Sequence, residues 1–382
     1  MKIRLAQPTL DEDERRAVLE ALTSGQIAQG PRVAAFEQSF AEYMGVRNAI
    51  AVNSGTAALH VALLAHGIGP TAGGSADDEV IVPAFSFAAT ANCVLQAGAR
   101  PEFVDVRESD FNIDPAAIER AFTQHTRAVI AVHLYGQPCD IEAVAAICAR
   151  RKIVLIEDAA QAVGASFGDK PVGSSGTATY SFYATKNLFT GEGGMITTDD
   201  EGVAERARMF RSQGERTRYV TEELGYNYRM TEPAAALGLA QLPKLATRNE
   251  RRSANATRLN ELLRGIDGLA LPDALPGRTH VWHQYTVRVL AGRESRDALQ
   301  AVLRERGIEA AVFYPSPIHQ QPLYRRLGYG EIDMPVAQRL ADEVLSLPVH
   351  PGLTADDLEA IARAVRDWSG GSGGGAGSGG GA

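Results

Sequence analysis

The sequence predicts an α/β protein with a large domain built on a mostly parallel, mixed sheet and a smaller C-terminal α+β domain. Between residues 48 and 158, short apolar runs alternate with helical stretches. That alternation is typical of a parallel sheet whose strands are joined by helices on both faces. The chain has 382 residues, more than one ordinary core accommodates, so we expect two domains.

The large domain begins with a helix and continues as a series of strands and helices. Residues 11–23 predict a helix whose acidic first turn suits the helix dipole. The predicted strands are the apolar runs 48–52, 79–83, 100–106, 128–136 and 153–158. The predicted helices lie between them, at 56–67, 87–98, 113–123 and 140–152. Asp140 can cap the last of these helices, and the small polar stretch 71–78 interrupts the series as a surface loop.

A second unit begins near a long helical stretch at residues 231–263, with Thr231 placed to cap it and Pro233 in its first turn. The later stretches predict strands at 280–290 and 308–315 and helices at 296–307, 336–347 and 354–368. We therefore divide the chain into a large domain at 1–245 and a small domain at 246–368. Residues 369–382, SGGSGGGAGSGGGA, cannot form a core and are predicted to be a flexible tail.

Composition excludes several classes of function. The formal net charge of −8 gives no electrostatic basis for binding nucleic acid or an anionic membrane surface. No apolar run reaches the roughly 18 residues of a membrane span, and the first residues lack a signal-peptide core, so we expect a cytoplasmic protein. The three cysteines, Cys93, Cys139 and Cys148, form no CxxC pair and indicate neither a disulfide framework nor a metal site.

The first residue that suggests chemistry is Asp158, which ends the apolar strand IVLI. In an open parallel sheet, ligands bind beyond the carboxyl ends of the strands. A carboxylate at that edge can pair with a cationic ring nitrogen. Taken alone, the position is equally compatible with an aspartate that caps the next helix.

The second is Lys186, which follows a predicted strand (TYSFY) and precedes a glycine-rich turn and another strand (MITT). Most lysines are solvated surface charges, and that interpretation applies to Lys152 and Lys170. Lys186 differs because its neighbours are large and apolar or aromatic: Phe182, Tyr183, Leu188 and Phe189. Partial burial lowers the pKa of an amine, which a Schiff-base lysine requires.

The third is the stretch VNSGTAALHVALL at residues 52–64, where small residues at the end of a strand lead directly into a helix. The first backbone N–H groups of that helix, with the Ser54 and Thr56 hydroxyls, could hold a phosphate. A Ser-Gly-Thr turn is a weak signal by itself, because many such turns only cap a helix.

Taken together in this order, these stretches resemble the DegT/DnrJ/StrS-type aminotransferases, which act on nucleotide-linked keto sugars. The resemblance runs from about residue 5 to residue 368, and its most specific part is EDAAQA followed by the Lys-Asn-x3-Gly-Glu-Gly-Gly block. The matching stretches are NSGTAAL, VPAFSFAATAN, FVDV, HLYGQPCDI, IEDAAQAVGA, SFYATKNLFTGEGG, GYNYRMTE, YPSPIHQQP and LSLPVHPGLT.

The resemblance implies a fold-type I transferase, like aspartate aminotransferase, with pyridoxal 5′-phosphate (PLP) as its cofactor and no metal. Lys186 would hold the cofactor as a Schiff base, Asp158 would bind the pyridine nitrogen, and Gln161 would approach the phenolic oxygen of the ring. The other implied cofactor contacts are Gly55, Thr56 and Ser181 at the phosphate, Phe87 against the ring, and Asn227 from the partner subunit of a homodimer.

Three further residues, Arg229, Tyr314 and His319, would line the substrate side. A polar loop residue is the alternative for His319. For His133 we favour a structural role on its strand, and for His350 a loop hydrogen bond competes with any functional role. The sequence departs from the family where Pro233 and Ala234 replace a glutamine and a larger aliphatic residue.

The function implied is a transaminase that moves an amino group from L-glutamate to a nucleotide-linked keto sugar, with the YPSPIHQQP stretch slightly favouring a 3-keto over a 4-keto sugar. A keto-cyclitol acceptor is compatible with the same cofactor residues. A PLP-dependent sugar dehydratase is disfavoured because Lys186 is present and three scattered cysteines cannot bind an iron–sulfur cluster. A non-catalytic regulatory protein on the same scaffold is also disfavoured, because such a protein needs no Schiff-base lysine.

Overall fold

The computed structural model describes residues 2–372, and its strands fall into one large sheet and several small ones. The strands are β1 (Asn48–Val52), β2 (Glu79–Pro83), β3 (Arg100–Val104), β4 (Thr126–Val132), β5 (Val154–Asp158), β6 (Ser166–Phe167), β7 (Lys170–Pro171), β8 (Thr177–Ser181), β9 (Gly194–Thr198), β10 (Glu215–Thr217), β11 (Val220–Thr221), β12 (Leu269–Ala270), β13 (Arg278–Thr279), β14 (Tyr285–Val289) and β15 (Val344–Leu347).

The helices pack on these sheets. They are α1 (Glu12–Thr23), α2 (Pro31–Met44), α3 (Gly55–Ala65), α4 (Ala89–Gln96), α5 (Pro115–Ala121), α6 (Ile141–Arg151), α7 (Glu201–Arg211), α8 (Glu232–Gln241), α9 (Leu245–Leu263), α10 (Arg293–Glu305), α11 (Pro322–Arg326), α12 (Pro335–Glu343) and α13 (Ala355–Ser372).

The large sheet is mostly parallel, as the sequence predicts. Within the described residues it has seven strands in the order β1-β9-β8-β5-β4-β2-β3. Only β9 is antiparallel to its neighbours, so the carboxyl ends of β1, β2, β4, β5 and β8 lie at one edge. Buried residues of α3, α4 and α7 form the core on one face, and those of α2, α5 and α6 lie in cores on the other. Because both faces are covered, the strands are almost continuously apolar.

The C-terminal part has its own antiparallel sheet, in the order β12-β14-β15. Its core joins this sheet to α9, α10 and α13 through residues such as Leu299 and Ile361. Ile318, Tyr324 and Leu340 pack instead into the core of the large sheet. The domain boundary at residues 245/246 stays a prediction.

Two segments of the C-terminal part differ from the sequence prediction. Residues 344–347 were predicted as the end of a helix, but they form β15 and pair with β14, which places Leu345 and Leu347 in the core. Residues 308–315 were predicted as a strand, but they make only isolated bridges, at Ile308 and Ala311. A pairing partner along residues 344–347, and the lack of one along most of residues 308–315, decided these structures over local preference.

Four further elements differ in extent from the prediction. The helix predicted at 231–263 is interrupted by the 3₁₀ turn Leu242–Lys244, where Pro243 lacks the N–H that a continuous helix needs. The strand predicted at 280–290 covers only Tyr285–Val289, and the one predicted at 128–136 ends at Val132. The last helix continues to Ser372, so residues 369–372 of the predicted tail are helical. The rest of that tail lies outside the described residues.

Side chains cap some of the helices, but not the two for which the sequence predicted a cap. Asp11 and Glu14 form a capping box at α1, and Thr354 Oγ1 accepts a hydrogen bond from Asp357 N at α13. Asp140 precedes α6 but makes no side-chain cap, because its carboxylate accepts a hydrogen bond from Arg107 Nη1 at 3.2 Å. Thr231 likewise makes no side-chain cap. Across residues 2–372, none of the helices is both long and apolar enough to span a membrane.

Candidate active site

A cavity of about 410 Å³ opens at the edge where the carboxyl ends of the parallel strands meet. Eight of the eleven site residues predicted from the sequence line it: Gly55, Thr56, Phe87, Asp158, Gln161, Ser181, Lys186 and Tyr314. Gly55 and Thr56 follow β1, Phe87 follows β2, Asp158 and Gln161 come from β5 and the turn after it, and Ser181 ends β8. Since these strands are parallel, residues far apart in sequence converge at one place.

Asp158 is a buried carboxylate held by two hydrogen bonds. Thr90 Oγ1 donates to its Oδ2 at 3.0 Å, and Ala160 N donates to its Oδ1 at 3.2 Å. Burial raises the pKa of this carboxyl, and the two hydrogen bonds and the charge of Lys186 oppose that rise. Among the described residues it makes no ion pair. A buried carboxylate without an ion-pair partner is costly unless a cationic group binds beside it.

Lys186 lies in the connection between β8 and β9, and its backbone N–H donates to Tyr183 O at 2.8 Å. Its side chain points into the same cavity as Asp158. Burial lowers the pKa of the Lys186 amine from 10.5 to about 8, and the negative charge of Asp158 opposes this shift. The neutral, nucleophilic form of this amine is therefore more populated near neutral pH than that of an exposed lysine.

The start of α3 lies against the end of β8 and forms an anion cradle. Ser54 caps α3 by accepting a hydrogen bond from Ala57 N at 3.1 Å, which leaves the N–H groups of the first turn directed at the cavity. A Cβ built on Gly55 would lie 2.7 Å from Ser181 Cβ, so this close approach requires glycine. A helix N-terminus with adjacent hydroxyls is suited to a phosphate.

Gln161 connects the large domain to Tyr314. Its Oε1 accepts a hydrogen bond from Tyr135 N at 2.7 Å, and its Nε2 donates to Tyr314 Oη at 3.3 Å. The rings of Tyr314 and Phe87 lie 6.0 Å apart, tilted by 38°. Phe87 is 57% exposed in the single chain, so its ring is free to cover a planar ligand in the cavity.

Asn227, Arg229 and His319 do not line this cavity within the described chain. Tyr226 and Tyr228 stack on each other at 5.0 Å and pack against His60. Alternation along this extended segment directs Asn227 to the opposite, exposed side. Arg229 is half-buried, and its backbone forms an isolated bridge with Val52.

His319 is fully buried against Phe103, with ring centroids 6.0 Å apart. Neither of its ring nitrogens has a hydrogen-bond partner, and burial lowers the pKa of the ring. This environment differs from both the substrate contact and the polar loop residue considered from the sequence.

The two other histidines singled out from the sequence make structural contacts. His133 lies one residue beyond β4 rather than on the strand. Its Nε2 contacts Glu157 Oε2 at 3.0 Å, and its Nδ1 accepts a hydrogen bond from Cys139 N at 3.1 Å. His350 Nε2 donates to Arg4 O at 3.1 Å.

Several residues of the site were not singled out from the sequence, and four of them are polar groups at or behind the cavity wall. Tyr135, His283 and Glu192 line the cavity, and Thr90 bonds to Asp158 behind it. His283 arrives from a segment predicted as a strand, and its Nδ1 lies 3.3 Å from Asn187 Oδ1. Thr90 and Tyr135 lie within the stretches SFAATAN and HLYG, but nothing local marks either as part of a site.

The donor set fits PLP. Asp158 supplies a carboxylate for a protonated ring nitrogen, Lys186 supplies an amine of lowered pKa, and the start of α3 with Ser181 supplies an anion cradle. Within the described residues, no group of three or more histidine, cysteine, aspartate or glutamate side chains is arranged to hold a metal ion.

Comparison with known proteins agrees with this chemistry. The model of the DegT/DnrJ/EryC1/StrS aminotransferase family matches residues 8–366. A pleiotropic regulatory protein of Geobacillus stearothermophilus is 43% identical, over 92% of this chain and 93% of that protein. The GDP-perosamine synthase of Caulobacter vibrioides is 41% identical, over 95% of this chain and 97% of that enzyme.

Solved structures give the same result. DesV of S. venezuelae, in complex with a ketimine intermediate, superposes with a TM-score of 0.88 and is 39% identical, over 93% of this chain and 94% of that one. This likeness confirms the fold-type I architecture. The chain belongs to the DegT/DnrJ/EryC1/StrS aminotransferase family and is a PLP-dependent transaminase.

Proposed function

We propose that this transaminase moves the amino group of L-glutamate to the carbonyl carbon of a nucleotide-linked keto sugar, giving 2-oxoglutarate and an amino sugar. The observation that carries the proposal is the convergence of Lys186, Asp158 and the α3 anion cradle in one cavity. The GDP-perosamine synthase relative supports a nucleotide-linked acceptor. A cytoplasmic location remains a prediction.

Lys186 performs the proton transfer. When bound, PLP supplies the electron sink for the electron pair that remains when the α-carbon of the donor loses its proton. The Lys186 amine, once free, takes that proton at Nζ and returns it to a neighbouring carbon, as a general base and then a general acid. Its pKa of about 8 suits both roles near neutral pH.

Asp158 keeps the proton on the pyridine nitrogen. Because its carboxylate is already oriented by Thr90 and Ala160, this stabilisation requires little reorganisation during the reaction. The start of α3 and Ser181 would hold the phosphate end, and Phe87, Gln161 and Tyr314 also line the cavity.

We propose further that the protein acts as a homodimer with shared active sites. Asn227 faces away from its own chain because Tyr226 and Tyr228 anchor the segment on His60. An exposed asparagine in that position is available to the cofactor phosphate of a second copy.

The test is the visible absorbance of the purified protein before and after L-glutamate is added. A yellow cofactor band that collapses with L-glutamate supports the donor half of the proposal, and recovery of the band with a nucleotide-linked keto sugar supports the acceptor half. Recovery with a keto-cyclitol alone would contradict the acceptor. A protein that stays colourless when PLP is supplied would favour a regulatory role.

A further inference from the structure

A second cavity, of about 430 Å³, lies beside the first and shares Thr185 and Lys186 with it. Its walls come from the N-terminal segment at residues 7–9, the Lys186 connection and the first turns of α9. Its volume is within the range of cavities that bind small molecules. A ligand in this second cavity would therefore lie close to the reacting amine.

The charged side chains on its wall are mostly basic. Apart from Lys186, they are Lys244, Arg248, Arg251 and Arg252, and Asp11 is the acidic one. Two of the four are already paired with the buried Glu14: Lys244 Nζ lies 2.9 Å and Arg248 Nη2 lies 3.3 Å from its carboxylate oxygens. These pairs leave Arg251 and Arg252 as the unbalanced charges.

Arg252 is the informative residue, because it is only 6% exposed and makes no ion pair within the described chain. Its Nη1 donates to Trp282 O at 3.1 Å and to His283 O at 3.4 Å. Its buried Nε has no acceptor. Arg251, next to it on the same wall, is exposed and also forms no ion pair in the described residues.

A buried guanidinium without a counter-charge is an unfavourable arrangement. A guanidinium stays charged at physiological pH, and burying a charge without a counter-charge costs free energy. A bound carboxylate or phosphate removes that cost through charge-assisted hydrogen bonds, for which arginine has the matching geometry.

We propose that the second cavity is an oxyanion site, in which Arg251 and Arg252 bind the anionic end of a substrate that reacts at Lys186. This inference rests on the proposed function, which supplies two sources of that chemistry: a carboxylate of the amino-acid donor and the diphosphate of the nucleotide-linked acceptor.

The experiment uses the PLP-loaded protein and the variants Arg251→Gln, Arg252→Gln and Arg252→Lys. Arg258→Gln is the matched control, because Arg258 lies on the same helix, is exposed and pairs with Glu261 and Glu359. One arm measures collapse of the visible cofactor band against L-glutamate concentration. The other measures pyrophosphate binding by calorimetry, with the cofactor occupying its own phosphate cradle.

Arg251→Gln and Arg252→Gln should raise the half-saturation or dissociation constant in at least one arm by about tenfold or more, since each removes charge-assisted hydrogen bonds to the anion. Arg252→Lys should fall between wild type and Arg252→Gln, and Arg258→Gln should match wild type. The affected arm identifies the anion: glutamate alone indicates the donor carboxylate, and pyrophosphate alone the acceptor diphosphate.

The inference is overturned if Arg251→Gln and Arg252→Lys match wild type in both arms, or if weakening appears only together with loss of the cofactor band. Arg251→Gln decides the matter should Arg252→Gln fail to fold, because Arg251 is exposed. If the wild-type protein does not respond to L-glutamate, the proposed donor fails while the pyrophosphate arm still tests the site.

Discussion

Thr90 donates a hydrogen bond to Asp158, with Thr90 Oγ1 at 3.0 Å from Asp158 Oδ2. The single hydroxyl proton of Thr90 is used in this bond, so the contact of 3.1 Å between Ser86 Oγ and Thr90 Oγ1 has Ser86 as its donor. A buried chain of hydroxyls from α4 and the loop before it thus holds the carboxylate in place.

Replacing this hydroxyl should impair the site without removing any group that faces the cavity. In Thr90→Val, Asp158 keeps only the N–H of Ala160, and its pKa should rise further. We expect the rate of the L-glutamate half-reaction to fall about 10- to 100-fold, in line with a lost hydrogen bond to a charged group. Thr90→Ser, which keeps the hydroxyl, is the control and should stay near wild type. Equal rates in Thr90→Val and wild type would show that Asp158 needs no such support.

The charge of Asp158 should matter more than its shape. Asp158→Asn can keep the hydrogen bond from Ala160 but cannot hold a proton on the pyridine nitrogen. Loss of a preorganised charge contact is expected to slow the half-reaction by at least about 100-fold, while the far-ultraviolet circular dichroism stays unchanged. The exposed Asp169→Asn serves as the control. A near-normal rate in Asp158→Asn would mean that the ring nitrogen is paired elsewhere.

The pKa of Lys186 predicts how cofactor attachment depends on pH. Only the neutral amine attacks PLP, so attachment to the cofactor-free protein should accelerate as pH rises and level off above about 8. Because the negative charge of Asp158 raises the pKa of Lys186, Asp158→Asn should move the midpoint to lower pH. Stopped-flow absorbance measures this rate, and Lys186→Ala should give no borohydride-reducible adduct.

The control is the rate at which the side-chain amine of Nα-acetyl-lysine reacts with PLP, measured against pH in the same buffers. Its midpoint should lie near 10.4, the value of an unperturbed lysine. A protein midpoint at that same pH would contradict a buried, perturbed Lys186.

Hybrid dimers test whether Asn227 acts across subunits. Neither Lys186→Ala nor Asn227→Ala homodimers should support much turnover. If Asn227 serves the partner, a hybrid of the two chains has one site with both residues intact, and activity should recover to about half per dimer, since one of two sites is complete.

The opposite pairing is the control. A chain carrying both substitutions, combined with a wild-type chain, places one defect in each shared site and should stay nearly inactive. If that hybrid is the active one and the first is not, Asn227 acts within its own chain. Recovered turnover per purified hybrid is the measurement.

Much of the large domain could be predicted from local sequence. The runs 48–52 and 79–83 coincide with β1 and β2, because each is a short apolar segment bounded by polar or turn residues. Asp158 and Lys186 could be singled out for the same reason, since one ends such a strand and the other lies between two.

The secondary structure of the C-terminal part was harder to predict, because the patterns of its segments do not distinguish helix, strand and loop. VLSL at 344–347 fits the end of a helix equally well, and only pairing with β14 makes it a strand. IEAAVFYP at 308–315 has the composition of a strand, yet it pairs only through isolated bridges at Ile308 and Ala311, and its Phe313 and Tyr314 line the cavity.

The sequence by itself determined the strand ends that carry Asp158, the helix start at Gly55 and the lysine held between two strands, because each depends on residues close together along the chain. Only the tertiary structure decided that Thr90 supports Asp158, that His283 reaches the cavity, that His319 is buried in the core and that Arg252 has no counter-charge. Those four outcomes depend on contacts between residues that are distant in sequence. Packing sets which side chains are buried and which find a partner, and it leaves no local sequence pattern.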